Sequence, residues 1–362
     1  MSRTQITRTA IPWYQQRAIF KSANFGLNLP WLNLHNGSEA VNWLNTSYDS
    51  TKIEADLVMI ASLGITKIRT WAQLESMYNY TGGVFVENAT YTANLDDFLT
   101  RCNNHGISVI LVIADGKEDS APSDLDGKFR WDLVQSGGGI TVYNNAYTAY
   151  VNRFKSHTNI LMWEISNEPY ANLTWALYPQ SLSVTKDQVH SYLQGAYTTI
   201  KATVPSALVG FSDYEEEEQT RYQTFSDATN RASYVDDCTD VYSLHIYRPD
   251  ASYIADFRTL TSKPKWCTEL GNLNYYDPTA SAHPIAGYNE LLNTELNYSA
   301  VSGITLKLIN SGFSLVLPWS VADNNGMFLH NADGSHTILK LPYWMQDRIT
   351  PYTRASVSRA QV

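Results

Sequence analysis

The sequence has few basic residues, few cysteines and no long apolar run. Lys and Arg number 26 against 35 Asp and Glu, and the formal net charge of −9 argues against nucleic acid as a partner. The three cysteines (Cys102, Cys238 and Cys267) are widely spaced and form no CxxC pair, which predicts buried free thiols rather than a zinc or redox centre. Because no run of about 18 apolar residues is present, we expect no contact with a membrane.

The first residues also lack the apolar segment of a secretion signal. "MSRTQITRTAIPWYQQ" has early basic residues, but no apolar stretch precedes the predicted domain. We therefore expect a soluble protein, secreted if a signal peptide has been removed and cytoplasmic otherwise.

No Gly/Ser-rich linker, low-complexity block or change in composition divides the 362 residues into separate domains. The hydrophobic content of 44% is enough for one large core, and α/β barrels commonly reach this size. We therefore expect a single domain over 1–362, with its core at about 18–345 and short terminal extensions.

Short apolar runs rich in β-branched residues alternate with stretches of helical spacing. In "TKIEADLVMIASL" at 51–63, Ile53, Leu57 and Ile60 share one helical face before Gly64, and "LDDFLTRCNNHG" at 95–106 ends in the same way at Gly106. Eight strands are predicted, at 18–25, 65–70, 107–113, 160–166, 207–211, 241–246, 264–268 and 313–317. A helix that ends at glycine and leads into a strand is half of a βαβ unit, and eight such units predict a (β/α)8 TIM barrel of the α/β class.

A doubly wound open sheet is the competing fold, and the sequence lacks its phosphate-binding glycine loop. The first strand runs into "GLNLPWLN", which contains no GxGxxG. "SGGGI" at 136–140 follows no convincing strand, and we expect a flexible loop there that opens no helix. "YEEEEQ" at 214–219 predicts the solvated start of a helix, with its acids near the positive end of the helix dipole.

Polar and aromatic side chains concentrate at the predicted carboxyl ends of the strands, where (β/α)8 barrels place their reactive residues. Strand 3 ends at Asp115. The other strand ends contribute Arg69 and Trp71 (strand 2), Asn167 and Glu168 (strand 4), His245 and Tyr247 (strand 6), Glu269 (strand 7) and Trp319 (strand 8). The barrel geometry predicts that these side chains meet at one mouth, with Glu168 opposite Glu269.

Two opposed carboxyl groups among aromatic rings are the residues needed to cleave a glycosidic bond. One must protonate the leaving oxygen, while the other attacks the anomeric carbon or activates water. Arg69 and Tyr247 favour the ionised form of Glu269, whereas a neighbouring carboxylate and partial burial favour a protonated Glu168. The sequence therefore predicts one acid and one nucleophile.

Several of these residues also have a purely structural interpretation. Glu168 alone could cap a helix, and Trp71 and Trp319 fit either sugar stacking or core packing. Glu164 alternates with Trp163 along strand 4, which makes it either a buried structural carboxylate or a group that supports the reacting ones.

The segments "WEISNEP", "LHIY", "TELG" and "LPWS" together resemble the clan A glycoside hydrolases, and within them glycoside hydrolase family 5, the cellulase and mannanase family. The resemblance extends from "GLNLPWL" at 26–32 to "LPWSVADNNG" at 317–326. It implies a retaining mechanism with Glu168 as acid/base and Glu269 as nucleophile. It also implies that Asn167 contacts the sugar 2-hydroxyl, that Arg69 and Tyr247 position the nucleophile, that His245 lines the site and that Trp319 lies beneath the attacked sugar.

The substrate implied by this resemblance is an oligo- or polysaccharide. "IRTWAQ" resembles the "RTWAF" of one mannanase branch and points to β-mannan, with β-glucan as the other candidate. We expect no cofactor and no metal, because the strand ends lack the several Asp, Glu and His ligands of a metal-dependent sugar isomerase. An exo-acting β-glycosidase of another clan A family and a non-catalytic carbohydrate-binding barrel are the alternatives, and the oligomeric state stays open.

Overall fold

The computed structural model describes residues 24–29, 43–44, 48–62, 64–115, 129–170, 184–215, 224–246, 257–270, 308–318, 328–330 and 336–338. The strands in chain order are β1 (Asn24–Phe25), β2 (Leu27–Asn28), β3 (Lys67–Trp71), β4 (Tyr78–Thr81), β5 (Val84–Glu87), β6 (Ser108–Val112), β7 (Ile160–Asn167), β8 (Val209–Glu215), β9 (Tyr242–Ile246), β10 (Lys265–Leu270), β11 (Phe313–Pro318), β12 (Phe328–His330) and β13 (His336–Ile338). Nine of them form one parallel sheet in the order β1-β11-β10-β9-β8-β7-β6-β3-β2, while β4 with β5 and β12 with β13 form antiparallel ribbons.

The first strand of the barrel is interrupted at Gly26, and its two halves pair with different neighbours, which closes the sheet. On one side of Gly26, β1 pairs with β11, and on the other side β2 pairs with β3. A Cβ atom at Gly26 would lie 2.6 Å from the carbonyl oxygen of Lys67, so this close approach requires glycine. With β1 and β2 counted as one strand, eight parallel strands form a nearly closed (β/α)8 barrel, which confirms the predicted fold.

Helices cover the outside of the barrel. Among the described residues they are α1 (Ser50–Ser62), α2 (Leu74–Met77), α3 (Ala89–Asn104), α4 (Trp131–Gln135), α5 (Gly138–Phe154), α6 (Lys186–Thr203) and α7 (Ala228–Tyr234), with a 3₁₀ turn at Phe257–Thr259. As the spacing predicts, α1 buries Ile53, Leu57 and Ile60, and Gly64 follows it with a φ of 75°. None of these helices is both long enough and apolar enough to cross a bilayer.

The two faces of β7 show where the barrel core ends and the polar site begins. Trp163 points outward, with its ring edge-on to Tyr150 of α5 at 6.3 Å between centroids. Met162 and Glu164 take the inner face. Met162 belongs to an apolar cluster with Ile110, Val241, Trp266, Leu315 and Leu317. Glu164 is two residues closer to the carboxyl end of the strand, where the buried side chains become polar.

The glycine-rich segment at 136–140 corrects one expectation, because it opens a helix instead of forming a flexible loop. Helix α5 begins at Gly138, directly after Gly137, whose φ is 69°. A Cβ at Gly139 would lie 2.1 Å from the carbonyl oxygen of Leu133 in α4. These glycines therefore allow the start of α5 to pack directly on the backbone of α4.

The acidic segment at 214–219 corrects a second expectation. Tyr214 and Glu215 continue strand β8 past its predicted end at 211, and both side chains are buried. They are not the solvated start of a helix, while residues 216–219 lie outside the described part of the chain.

Candidate active site

The carboxyl ends of four barrel strands bring six of the predicted site residues together. These are Arg69 and Trp71 on β3, Asn167 at the end of β7 with Glu168 directly after it, His245 on β9 and Glu269 on β10. All six are buried, with exposed fractions between 0% and 7%. Tyr247 and Trp319, which the sequence places in the same site, lie outside the described residues.

Both strands that carry the two glutamates are irregular where they reach the site. The pairing of β7 with β8 shifts register between Glu164 and Asn167, and the pairing of β10 with β9 shifts between Cys267 and Glu269. An irregularity of this kind redirects the side chains that follow it and is common beside active sites.

Glu168 has a strained backbone. Its φ of 48° lies in the left-handed region, and no other non-glycine residue of the described chain has a positive φ. The backbone N–H of Glu168 donates to the carbonyl oxygen of Ser212 at 2.8 Å and so holds this conformation. Strain of this kind persists where the surrounding structure enforces it, and it concentrates at functional residues.

Arg69 connects the residues of the site through a fully buried guanidinium. It forms a paired contact with Glu164, in which Nε donates to Oε2 at 2.8 Å and Nη2 donates to Oε1 at 2.5 Å. Nη1 donates to Oε1 of Glu269 at 2.7 Å. Nη2 also donates to Oδ1 of Asn167 at 2.7 Å and to Oγ of Ser212 at 3.0 Å. These contacts join one cation to side chains on β7, β8 and β10.

The carboxylates around Arg69 keep its guanidinium charged although it is buried. Burial alone disfavours the charged guanidinium, but the attraction and hydrogen bonds of Glu164, and then those of Glu269, outweigh it and hold the pKa of Arg69 above its ordinary value. A fully buried cation requires such partners, since an uncompensated charge costs several kcal/mol or more. Glu164, for which the sequence left two interpretations, therefore supports the cation that contacts Glu269.

Glu168 and Glu269 face each other beside His245. Nδ1 of His245 lies 2.6 Å from Oε1 of Glu168 and 3.5 Å from Oε2 of Glu269. One carboxylate oxygen of Glu168 and one of Glu269 lie within 4.8 Å of each other. Two carboxyl groups at this separation can act on the same glycosidic bond.

Asp115, three residues past the end of β6, contacts two of the predicted substrate-binding residues. Its Oδ2 accepts from Nε1 of Trp71 at 2.9 Å, and its Oδ1 accepts from Nδ2 of Asn167 at 3.3 Å. The Cζ atom of Arg69 lies 4.3 Å from the centroid of the Trp71 ring. Because Arg69 covers one face of this ring, a sugar could stack on Trp71 only from the opposite face.

Sequence reasoning missed two polar residues of the site. Asn28 on β2 accepts from Nη1 of Arg69 at 3.2 Å and donates to the carbonyl oxygen of Thr268 at 2.7 Å. Ser212 on β8 donates to Oε1 of Glu164. Both follow a predicted strand within three residues, so the strand-end rule, applied to strands 1 and 5 as well, would have found them.

Glu215, at the end of β8, is a further buried carboxyl group. Burial raises its pKa to about 8, and the hydrogen bonds from the Phe225 backbone N–H and from Oγ of Ser226, the latter at 2.9 Å, offset only part of that effect. Glu215 therefore holds its proton near neutral pH.

Two groups of described residues have donor atoms close enough together to bind a metal ion. They are Glu168, His245 and Glu269 in the site, and, outside the barrel, His190 on α6 with Asp237 and Cys238, which follow α7. In the first group, Nη1 of Arg69 lies 2.7 Å from Glu269, and this cation disfavours a metal ion beside it. The arrangement is better suited to proton transfer and nucleophilic attack.

Comparison with protein families gives a match over most of the chain. The model of the cellulase family, glycosyl hydrolase family 5, matches residues 21–277. This range contains all six described site residues. No curated protein sequence matches the chain.

Comparison with solved structures finds similar barrels at low sequence identity. An exo-β-1,4-mannosidase from an Opitutaceae bacterium has a TM-score of 0.63 at 15% identity over 92% of this chain, which spans only 59% of the mannosidase. An endo-1,4-β-mannanase from Rhizomucor miehei has a TM-score of 0.59 at 17% identity, over 90% of this chain and 94% of that one. A β-1,4-mannanase from the sea hare Aplysia kurodai has a TM-score of 0.55 at 17% identity, over 83% and 88%. At these identities the likeness establishes the fold alone.

Proposed function

The chain belongs to glycosyl hydrolase family 5, and we propose that it is a retaining β-glycosidase that hydrolyses β-linked glycans by double displacement, with Glu168 as acid/base and Glu269 as nucleophile. The proposal assigns this activity to one catalytic barrel domain.

The observation that carries the proposal is the separation of the two glutamates. Their nearest carboxylate oxygens lie within 4.8 Å of each other. Retaining glycosidases hold their carboxyl groups roughly 5–5.5 Å apart, whereas inverting enzymes leave roughly 6.5–9.5 Å for a water molecule. The short separation favours direct attack by a carboxylate on the anomeric carbon.

The surroundings of Glu269 favour its role as nucleophile. Arg69 donates to its Oε1 at 2.7 Å and thereby orients the carboxylate and balances its charge. Its Oε2 lies on the side of His245 and Glu168, toward which the reacting sugar would bind. In the first step, this carboxylate attacks the anomeric carbon and forms a covalent glycosyl-enzyme.

Glu168 is suited to proton transfer because it is 2% exposed and lies opposite a second carboxylate. In the first step its carboxyl group gives a proton to the leaving glycosidic oxygen. In the second step the resulting carboxylate takes a proton from water, which attacks the glycosyl-enzyme and releases the sugar with retained configuration.

A β-mannan-type substrate is our first choice, with β-glucan second. The support comes from the "IRTWAQ" segment and from the three similar structures named above, a mannosidase and two mannanases. A screen of β-mannan, β-glucan, xylan and aryl β-glycosides, with product lengths recorded, would decide between them and between endo and exo action.

Two alanine variants test the assigned roles. Glu269→Ala should abolish turnover of every substrate. Glu168→Ala should lose on the order of 10² to 10⁴ in rate on poor leaving groups, yet retain activated aryl glycosides and yield a β-glycosyl azide when azide is added. Glu215→Gln is the matched control, because it alters another buried strand-end carboxyl group that the mechanism does not use. Near-normal rates in both alanine variants would overturn the assignment.

A further inference from the structure

Asp115 connects two side chains at the mouth of the barrel, Trp71 and Asn167. We infer that Asp115 is a positioning residue, which fixes the amide of Asn167 and thereby determines how the enzyme distinguishes the sugar 2-hydroxyl. This inference rests on the proposed function, in which Asn167 contacts that hydroxyl.

Two opposite charges determine which way the Asn167 amide faces. On one side, Nη2 of Arg69 donates to Oδ1 of Asn167 at 2.7 Å. On the other side, Nδ2 of Asn167 donates to Oδ1 of Asp115 at 3.3 Å. A guanidinium only donates and a carboxylate only accepts, so a flipped amide would oppose both neighbours.

The backbone also holds Asp115 and Asn167 side by side. They form a parallel β-bridge, and the backbone N–H of Asn167 donates to the carbonyl oxygen of Ala114 at 2.9 Å. The bridge places the two side chains next to each other at adjacent strand ends. The contact therefore follows from the barrel itself.

The second oxygen of Asp115 makes its position difficult to change. Oδ2 accepts from Nε1 of Trp71 at 2.9 Å, and the ring of Trp71 is 7% exposed and covered on one face by Arg69. The indole cannot turn without losing both contacts. Trp71 thus holds Asp115, and Asp115 holds Asn167.

A fixed amide offers the sugar a defined hydrogen-bonding group. One N–H of Nδ2 is directed to Asp115, which leaves the other N–H as the donor for a sugar hydroxyl. A fixed donor distinguishes the axial 2-hydroxyl of a mannoside from the equatorial one of a glucoside, because only one of them lies along its direction. Without Asp115 the amide keeps the contact of Oδ1 with Arg69 but loses the contact that directs Nδ2, and the discrimination should weaken.

The test uses three aryl β-glycosides: the mannoside, the glucoside and the 2-deoxyglycoside. Removal of the 2-hydroxyl makes the first two identical, so the 2-deoxyglycoside is a common reference. In Asp115→Ala and Asp115→Asn, the ratio of kcat/KM for the preferred 2-hydroxyl substrate to that for the reference should fall roughly 10- to 100-fold. Each ratio comes from one enzyme preparation, so a smaller folded fraction does not change it.

Asp237→Asn is the matched control. Asp237 also accepts from two side chains, His190 with its Nε2 at 2.8 Å and Gln194 at 2.6 Å, but these lie on α6 outside the barrel, and the Asp237 side chain is 48% exposed. The kcat/KM ratios of this variant should equal those of the wild type. Equal losses of the Asp115 variants on all three substrates would overturn the positioning role, whereas a wild type that hydrolyses none of the polysaccharides and aryl glycosides of the screen would instead refute the proposed function.

Discussion

Glu164 on strand β7 and Glu75 on helix α2 are both buried glutamates, with exposed fractions of 0% and 5%, but their partners differ in kind. Glu164 meets the guanidinium of Arg69 through both carboxylate oxygens. Glu75 meets a neutral partner, the hydroxyl of Tyr143, which donates to its Oε1 at 2.8 Å. Burial therefore raises the pKa of Glu75 to about 8, because the hydrogen bond offsets only a small part of that effect.

Both regions bury their glutamate, and they differ in whether a cation is hydrogen-bonded to it. Inside the barrel mouth, Arg69 lies between the carboxylates of Glu164 and Glu269 and forms an ion pair with each of them. Just past the carboxyl end of β3, Glu75 lies beside the aromatic cluster of α5 and α6, where Tyr143, Tyr147 and Tyr192 are fully buried. Of the two regions, only the first holds a buried cation that donates hydrogen bonds to carboxyl groups, and that region is the one proposed for catalysis.

The largest effect should come from removal of the cation. Arg69→Met leaves two buried carboxylates without a counter-charge, so we expect the free energy of unfolding at pH 7 to fall by roughly 3–5 kcal/mol. Urea unfolding of the variant and the wild type at pH 7 measures this.

The matched control is Arg130→Met, which breaks an ion pair with Asp132, whose side chain is 55% exposed. Such a pair is worth at most about 1 kcal/mol. Losses of equal size in the two arginine variants would contradict the role given to Arg69.

The same Glu-to-Gln substitution should have opposite effects in the two regions. Glu164→Gln removes a charge that Arg69 requires, and we expect a loss of roughly 1–3 kcal/mol in unfolding free energy at pH 7, together with a lower kcat/KM. Glu75→Gln replaces a carboxyl group that is already mostly protonated at pH 7, so stability should be unchanged or higher. Unfolding curves of both variants under one condition test the comparison, and a change of the same sign in both would refute it.

Local patterns were sufficient to predict the barrel and the strand ends that meet at its mouth. Apolar runs and the glycines after helices predict the eight strands, and Trp163 and Glu164 alternate along β7 as expected, with Glu164 on the inner face. The partner of Glu164 could not be predicted in the same way, because Arg69 is 95 residues away in the chain and meets it only after the strands close into a barrel.

Two errors have related causes. The run of acids at 214–219 suggested solvent, but β8 extends to Glu215 and carries this residue into the protein interior, where only tertiary structure determines its environment. "SGGGI" predicts a loop because it follows no convincing strand, whereas close packing against Leu133 requires a residue without a side chain at Gly139.

The smallest effect concerns the pH dependence of Glu75. The folded pKa of Glu75, about 8, lies above the ordinary glutamate value of 4.5, so the native state binds the proton more tightly than the unfolded chain. The stability due to this proton is complete below pH 4.5 and is lost as pH rises through 8. Gln carries no such proton, so the unfolding free energy of Glu75→Gln relative to the wild type should rise by about 1 kcal/mol between pH 7 and pH 9 and then level off.

Glu54→Gln supplies the control for this measurement. The hydrogen bonds of His105 and Arg101 lower the pKa of Glu54, so it is ionised in both states throughout this pH range and its substitution should give a constant difference. Parallel stability curves for Glu75→Gln and the wild type from pH 7 to pH 9 would show that Glu75 is ionised in the folded protein. In that case the two buried glutamates would not differ in charge, and the contrast between the two regions would be lost.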